Sequence, residues 1–187
     1  MMLFLRDTAR AMRRFGADER GNSTMEFAIL FPVFFTIFLS GFELAFVMVR
    51  QMWLERAVDL TVRDLRLGTW PNVSTDILKA DICDNMGNLI GACDSVLMLE
   101  LDTIDRVSWT TPNPDATCVD RSEDVQPVTK FEPGTENEMV LLRACVIIDP
   151  IFPGTGLALQ LERNTGDGVA LVATSGFVNE PGTGMDG

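Results

Sequence analysis

The sequence predicts an α+β protein in which a long N-terminal helix crosses a membrane and continues into a domain with a short helix and a small antiparallel sheet. Three observations lead to this prediction: an apolar run of helical length near the N-terminus, an amphipathic stretch directly after it, and later segments rich in β-branched residues. The 187 residues suffice for about one domain and an appendage.

The apolar run occupies residues 27–49 and is the predicted membrane anchor. As a helix it extends about 34 Å, slightly more than a hydrocarbon core of about 30 Å. Its 15 Leu, Ile, Phe or Val residues each favour insertion by about 0.3 to 0.6 kcal/mol, which outweighs about 3 kcal/mol for the charge of Glu43. Five arginines precede the run and only Arg50 and Arg56 follow it closely, so we expect a cytoplasmic N-terminus and an exported body.

Beyond the membrane the helix is expected to continue to about Leu67. Mostly apolar residues recur there at helical spacing, with charged residues between them: Leu54, Val58, Thr61, Val62 and Leu65. Gly68 is the predicted C-terminal cap, and Pro71 disfavours any continuation. Pro32 predicts a kink in the membrane half, which helices in bilayers tolerate.

The body is predicted to contain a short helix and strands. Thr75 is the expected N-cap of a helix over residues 76–86, which Gly87 ends. The segments SVLMLELDTI (95–104) and MVLLRACVII (139–148) are apolar and β-branched and indicate strands.

The last strands are predicted to form a hairpin over residues 157–178, because LALQLER and VALVATSGFV flank the turn-forming sequence NTGDG. Residues 110–138 are rich in proline and charge and are expected to form a long surface loop held in part by Cys118.

Charge and composition exclude several functions. Residues 68–187 contain 19 acidic residues against six basic ones, and such a surface repels phosphates, so we expect no nucleic-acid partner. The chain has no histidine, so it lacks the usual general base at neutral pH and every histidine-bearing metal site. We therefore expect no catalytic residues, no metal and no cofactor.

Four cysteines, Cys83, Cys93, Cys118 and Cys145, suit an exported domain in an oxidising compartment. Sequence alone allows three pairings, and the local one, Cys83 with Cys93 and Cys118 with Cys145, is favoured. A zinc site is disfavoured because no C-x-x-C spacing occurs. Free buried cysteines remain an alternative.

The start of the anchor carries a specific pattern. Residues 21–27 read GNSTMEF and match G-x-x-x-x-E-[FY], which marks substrates of a prepilin peptidase, here set between a basic leader and a membrane helix. Residues 13–68 resemble the TadE-like family, the minor pseudopilins of tight-adherence (Flp-type) pili, and GFVNEP at residues 176–181 resembles it loosely. TadE is favoured over TadF.

The resemblance implies a pilin-like fold and cleavage after Gly21, which leaves a new amine on Asn22. The implied divisions are a cleaved leader (1–21), a transmembrane and amphipathic helix (22–67), a periplasmic α+β domain (68–180) and a flexible tail (181–187). The implied partners are a prepilin peptidase, other pilin and pseudopilin subunits, and an assembly platform in the bacterial inner membrane.

Two glutamates in the anchor are candidate assembly residues. Glu26, followed by Phe27, is costly near hydrocarbon unless paired, and the N-terminal ammonium of its own or a neighbouring subunit is the nearest partner; alternatively it is a helix-start residue favoured by the dipole. Glu43 is expected to reach the interface or to pair with Arg50. Gly41 and Ala45 beside it have the small-xxx-small spacing that brings helices close, although a tolerated acid beside a chance small pair is equally compatible.

Two functions from different classes are compatible with these features. The first is a non-enzymatic pseudopilin that packs its helix among pilin helices. The alternative is an uncleaved, membrane-anchored periplasmic enzyme or ligand-binding domain in which the glycine-glutamate pattern is accidental. The mature mass distinguishes them, because only the pseudopilin loses its leader.

Overall fold

The structure, a computed structural model, describes residues 22–105, 115–153, 163–164 and 168–180. The predicted leader with Gly21, most of the first hairpin strand and the predicted tail lie outside these residues. The described chain is α+β, as the sequence predicts, with a long helix, a shorter one and a small antiparallel sheet.

Helix α1 runs from Asn22 to Arg66 and is about 67 Å long at 1.5 Å per residue. Pro32 lies inside it, and the hydroxyl groups nearby bond within the helix: Thr36 Oγ1 donates to the Pro32 carbonyl at 2.7 Å, and Ser40 Oγ to the Thr36 carbonyl at 2.9 Å. Both side chains are thereby satisfied without water, as a membrane segment requires. Gly68 follows the helix at φ 66°, where its missing side chain avoids strain.

Helix α2 runs from Thr75 to Met86, and its N-cap corrects the prediction by one residue. Ser74, not Thr75, has the extended backbone of a cap, and its Oγ accepts from the Ile77 amide at 3.4 Å. Both residues carry a hydroxyl, so only the backbone path selects the cap. Gly87 ends the helix at φ 61°, as expected.

A 3₁₀ turn, Gly87–Leu89, and a four-residue helix, α3, Cys93–Val96, lead into the sheet. Its strands are β1 (Leu97–Ile104), β2 (Met139–Ile148), β3 (Arg163–Asn164) and β4 (Gly168–Val178). They lie in the order β1-β2-β4-β3 with antiparallel neighbours. The predicted strands 139–148 and 169–178 are confirmed, and the first predicted strand begins at Leu97 rather than Ser95 because residues 95–96 belong to α3. Of the predicted strand 157–163 only Arg163 is described, and it pairs with Val169 as the hairpin requires.

The C-terminal half of α1 packs on one face of the sheet beside α2. The buried side chains of α1 include Ala57 and the whole predicted stripe, Leu54, Val58, Thr61, Val62 and Leu65. Leu78, Ile82 and Met86 of α2 join them against the sheet. Thr61 Oγ1 donates to Asp81 Oδ2 at 2.6 Å, which satisfies the hydroxyl between the helices.

The opposite face of the sheet is covered by part of the predicted surface loop. Met98, Cys145 and Ile147 pack there against residues 116–119. Beneath this loop, Arg143 pairs with Glu100 at 3.6 Å, and the other carboxylate oxygen of Glu100 accepts from the Thr117 amide at 3.3 Å. The loop is therefore part of the fold rather than a free surface segment.

Another part of the same loop covers the outer edge of β1. The Leu101 amide donates to the Lys130 carbonyl at 2.9 Å, and the Glu132 amide donates to the Leu101 carbonyl at 2.8 Å. The Lys130 ammonium binds Asp102 and Glu132, and these hydrogen bonds, that to Asp102 first, raise the lysine pKa above its ordinary value. This edge of the sheet is therefore paired and charged, which protects it from joining another strand.

The structure contains the disulfides Cys83–Cys93 and Cys118–Cys145, which are the pairs favoured from the sequence. The first joins the end of α2 to α3, and the second fastens the loop to β2. Their sequence separations are 10 and 27 residues.

We expect the longer-range disulfide to contribute more to stability. By loop-closure entropy, Cys118→Ala/Cys145→Ala should lower the free energy of unfolding by about 3.5 kcal/mol, against about 2.7 kcal/mol for Cys83→Ala/Cys93→Ala. Urea unfolding of the full chain in detergent, followed by tryptophan fluorescence, measures both. A larger loss from the Cys83 and Cys93 pair would contradict this ranking.

Candidate functional site

The first half of α1 has no packing partner among the described residues. Its large apolar side chains are exposed, as with Phe34 at 67% and Ile37 at 68%. Within the described part of the chain, α1 is the one helix whose length and hydropathy would allow it to cross a membrane, and the qualifying stretch is Ser23–Arg66. The exposed surface is what lipid or neighbouring helices would cover.

Phenylalanines form two ladders along this surface at i, i+4 spacing. One consists of Phe27, Phe31 and Phe35, with ring centroids 5.0 and 5.5 Å apart. The other consists of Phe34, Phe38, Phe42 and Phe46, with centroids 4.8 to 6.5 Å apart. Phe27, next to Glu26, is therefore held against its own helix while remaining 64% exposed.

Glu26 lies near the start of α1 with its side chain exposed. No described residue makes an ion pair or hydrogen bond with its carboxylate, whereas Asn22, the first helical residue, lies one helical turn earlier. The carboxylate is thus presented on an apolar helix without a described partner from its own chain.

Glu43, unlike Glu26, is fully buried, with 0% of its surface exposed. Its Oε1 accepts from the Ile151 amide at 3.0 Å and its Oε2 from the Phe152 amide at 2.8 Å. Hydrogen bonds from N–H groups to a carboxylate are about twice as strong as neutral ones. Glu43 thus fastens α1 to the segment that follows β2.

This arrangement differs from both expectations for Glu43. The carboxylate does not reach solvent, and Arg50 donates instead to the Asp149 carbonyl at 3.3 Å. The partners of Glu43 are backbone amides more than a hundred residues away, which no side-chain pattern reveals. The available signal was the sequence Pro-Ile-Phe-Pro at 150–153, an apolar turn with only two N–H groups.

Gly41 and Ala45 lie on the exposed surface of α1. A side chain built on Gly41 would meet no atom within 4 Å. The described chain therefore leaves this small pair open, as a site for another helix requires.

The closing sequence GFVNEP has a structural role that sequence reasoning missed. Asn179 is buried, and its Nδ2 donates to the carbonyls of Pro133 at 2.9 Å and Thr135 at 3.1 Å. Glu180 pairs with Arg66 at 2.8 Å, at the end of α1. The motif therefore joins β4, the loop before β2 and the end of α1.

A recess that contains two arginines lies between α1 and the end of β2. Arg50, Arg121 and Asp149 line it together with residues 89–91 and the end of β2. Arg121 pairs with Asp149 at 2.5 Å and donates to the Ile147 carbonyl at 2.9 Å. Among the described residues, no cluster of His, Cys, Asp or Glu is arranged to hold a metal ion.

These features define a class: a protein whose N-terminal helix is suited to crossing a membrane and continues without a break into a disulfide-bonded α+β domain. A family model described as TadE-like protein matches residues 21–63. The match confirms the predicted resemblance over the segment that contains Gly21, Glu26 and Glu43, and it covers α1 rather than the sheet. No significant match was found among curated proteins or solved structures.

Proposed function

We propose that this chain is a minor pseudopilin that takes part in assembling tight-adherence pili. The observation that carries the proposal is that the TadE-like match begins at Gly21 and covers an apolar helix near whose start Glu26 has no partner among the described residues. The family match supports a component associated with the Tad pilus, and leader cleavage, membrane orientation and subunit contacts are proposed in addition.

In this proposal a prepilin peptidase cuts after Gly21 and removes the leader, residues 1–21. The mature chain of 166 residues keeps α1 as its anchor, because the cut precedes the helix. Glycine suits the position since the absent side chain lets the backbone enter a protease cleft. The arginines before the helix keep the N-terminus in the cytoplasm and place the domain, residues 68–180, in the periplasm.

The mature helix then leaves the bilayer to pack among helices of other pilin and pseudopilin subunits at the inner-membrane assembly platform. Its exposed phenylalanines supply apolar contact, and Gly41 with Ala45 permits close approach. Glu26 pairs with the amine of Asn22 on a neighbouring subunit. Glu43 contributes indirectly, because it sets the angle at which the domain leaves the helix.

Processing is tested by Gly21→Leu in a strain that expresses the pilus system's peptidase. We expect the full-length precursor to accumulate, because the leucine side chain obstructs the backbone at the scissile bond. Gly16→Leu is the matched control, since Gly16 lies in the same leader outside the pattern, and it should be trimmed normally. Intact mass measurement distinguishes 187 from 166 residues, and normal trimming of Gly21→Leu would refute cleavage at this site.

A further inference from the structure

We propose that the turn formed by residues 150–153, here called the PIFP turn, rests on the outer surface of the bilayer and seals Glu43 from lipid. The partner is the lipid surface itself, and the contact orients the domain on the membrane before assembly. This inference rests on the part of the proposed function in which α1 crosses a membrane.

The height of the turn along α1 follows from its two hydrogen bonds to Glu43. Between Glu26 and Glu43 the helix has 16 uncharged residues, which extend about 24 Å along its axis. The helix from Asn22 to Phe42 is about 31 Å long. With its inner boundary placed at Asn22, a hydrocarbon core of about 30 Å ends close to Glu43, before the end of the apolar run at Val49. The PIFP turn lies at the same level, at the outer boundary of the core.

The backbone of the turn is suited to this boundary. Pro150 and Pro153 have no N–H group, and the amides of Ile151 and Phe152 donate to Glu43. All N–H donors of the turn are therefore absent or satisfied, which removes the main cost of placing irregular backbone against lipid. Ile151, 40% exposed, offers an apolar side chain to the membrane.

Charges beyond the turn match the headgroup layer. Arg50 lies seven residues past Glu43, about 10 Å further along α1, and Arg121 lines the same recess. Asp149, the acidic group beside them, is neutralised by Arg121. The two arginines and one aspartate leave one net positive charge at this end of a body in which acidic residues greatly outnumber basic ones, and Arg50, whose charge is not paired with a described carboxylate, is the group that would meet a lipid phosphate.

Photocrosslinking to lipid tests the contact. The mature full-length chain, with p-benzoylphenylalanine in place of Ile151, is reconstituted into nanodiscs of phosphatidylethanolamine and phosphatidylglycerol, irradiated and analysed by mass spectrometry. The matched control is the same substitution at Val178, which is 44% exposed. Val178 lies at the other end of β4, about 34 Å from Gly168. A third chain carries the probe at Phe34, inside the proposed span.

We expect lipid adducts at positions 34 and 151 and none at 178. Adducts at 34 but none at 151, or equal yields at 151 and 178, would overturn the contact while leaving the anchor in place. Absence of adducts at all three positions would overturn both the contact and the membrane span on which it depends.

Discussion

Glu26→Gln is expected to leave cleavage and membrane insertion intact and to abolish most pilus assembly. Glutamine keeps the shape and hydrogen-bonding capacity of glutamate and loses only the charge. In the proposed assembly, the ammonium of a neighbouring Asn22 would then be unpaired near hydrocarbon, at a cost of about 3 to 5 kcal/mol. The exposed position of Glu26, without a described partner in its own chain, is the structural reason to expect an effect between subunits.

Piliation and surface adherence are counted in a strain that carries only Glu26→Gln, with immunoblots confirming normal abundance and trimming. Glu55→Gln is the control, because Glu55 is an exposed glutamate on the same helix beyond the membrane segment, and it should assemble normally. Wild-type pilus numbers with Glu26→Gln would exclude the pairing and leave Glu26 as a helix-start residue favoured by the dipole.

Glu43→Gln is expected to release the PIFP turn from α1. The glutamine oxygen can accept a hydrogen bond from one of the two backbone amides, but the side-chain NH₂ group then faces the N–H group of the other amide, and two donors cannot bond to each other. Losing one hydrogen bond to a charged group costs about 2 kcal/mol, which corresponds to roughly 30-fold faster amide hydrogen exchange through local opening. The change should appear at Ile151 and Phe152.

Hydrogen exchange of the full chain in detergent, resolved to this segment by mass spectrometry, measures the effect. Gln51→Ala is the matched control, because Gln51 also joins α1 to the domain, donating to the Val172 carbonyl at 2.9 Å. This variant should leave exchange at Ile151 and Phe152 unchanged. Unaltered exchange in Glu43→Gln would show that the carboxylate does not hold the turn. Whether the loosened domain also impairs assembly is read from pilus counts in the same variant.

The local elements follow from short stretches of sequence. The apolar run and the stripe from Leu54 to Leu65 predict a helix to about Leu67, and α1 ends at Arg66. Gly68 and Gly87 end their helices because each adopts a positive φ that a side chain disfavours. The strands are likewise predicted by their apolar and β-branched composition, and the disulfide pairs by the short separation of their cysteines in the sequence.

The sequence by itself therefore determined the class of fold, the end of the long helix and the pattern at Gly21 and Glu26, because these depend on residues within a few turns of one another. Only the tertiary structure decided the partners of Glu43, 108 and 109 residues away, the role of Asn179 under a distant loop, and the choice of Ser74 over Thr75 as cap. The acceptors or donors in these contacts are largely backbone groups. Every residue carries such groups, so only the path of the folded chain selects which of them meet.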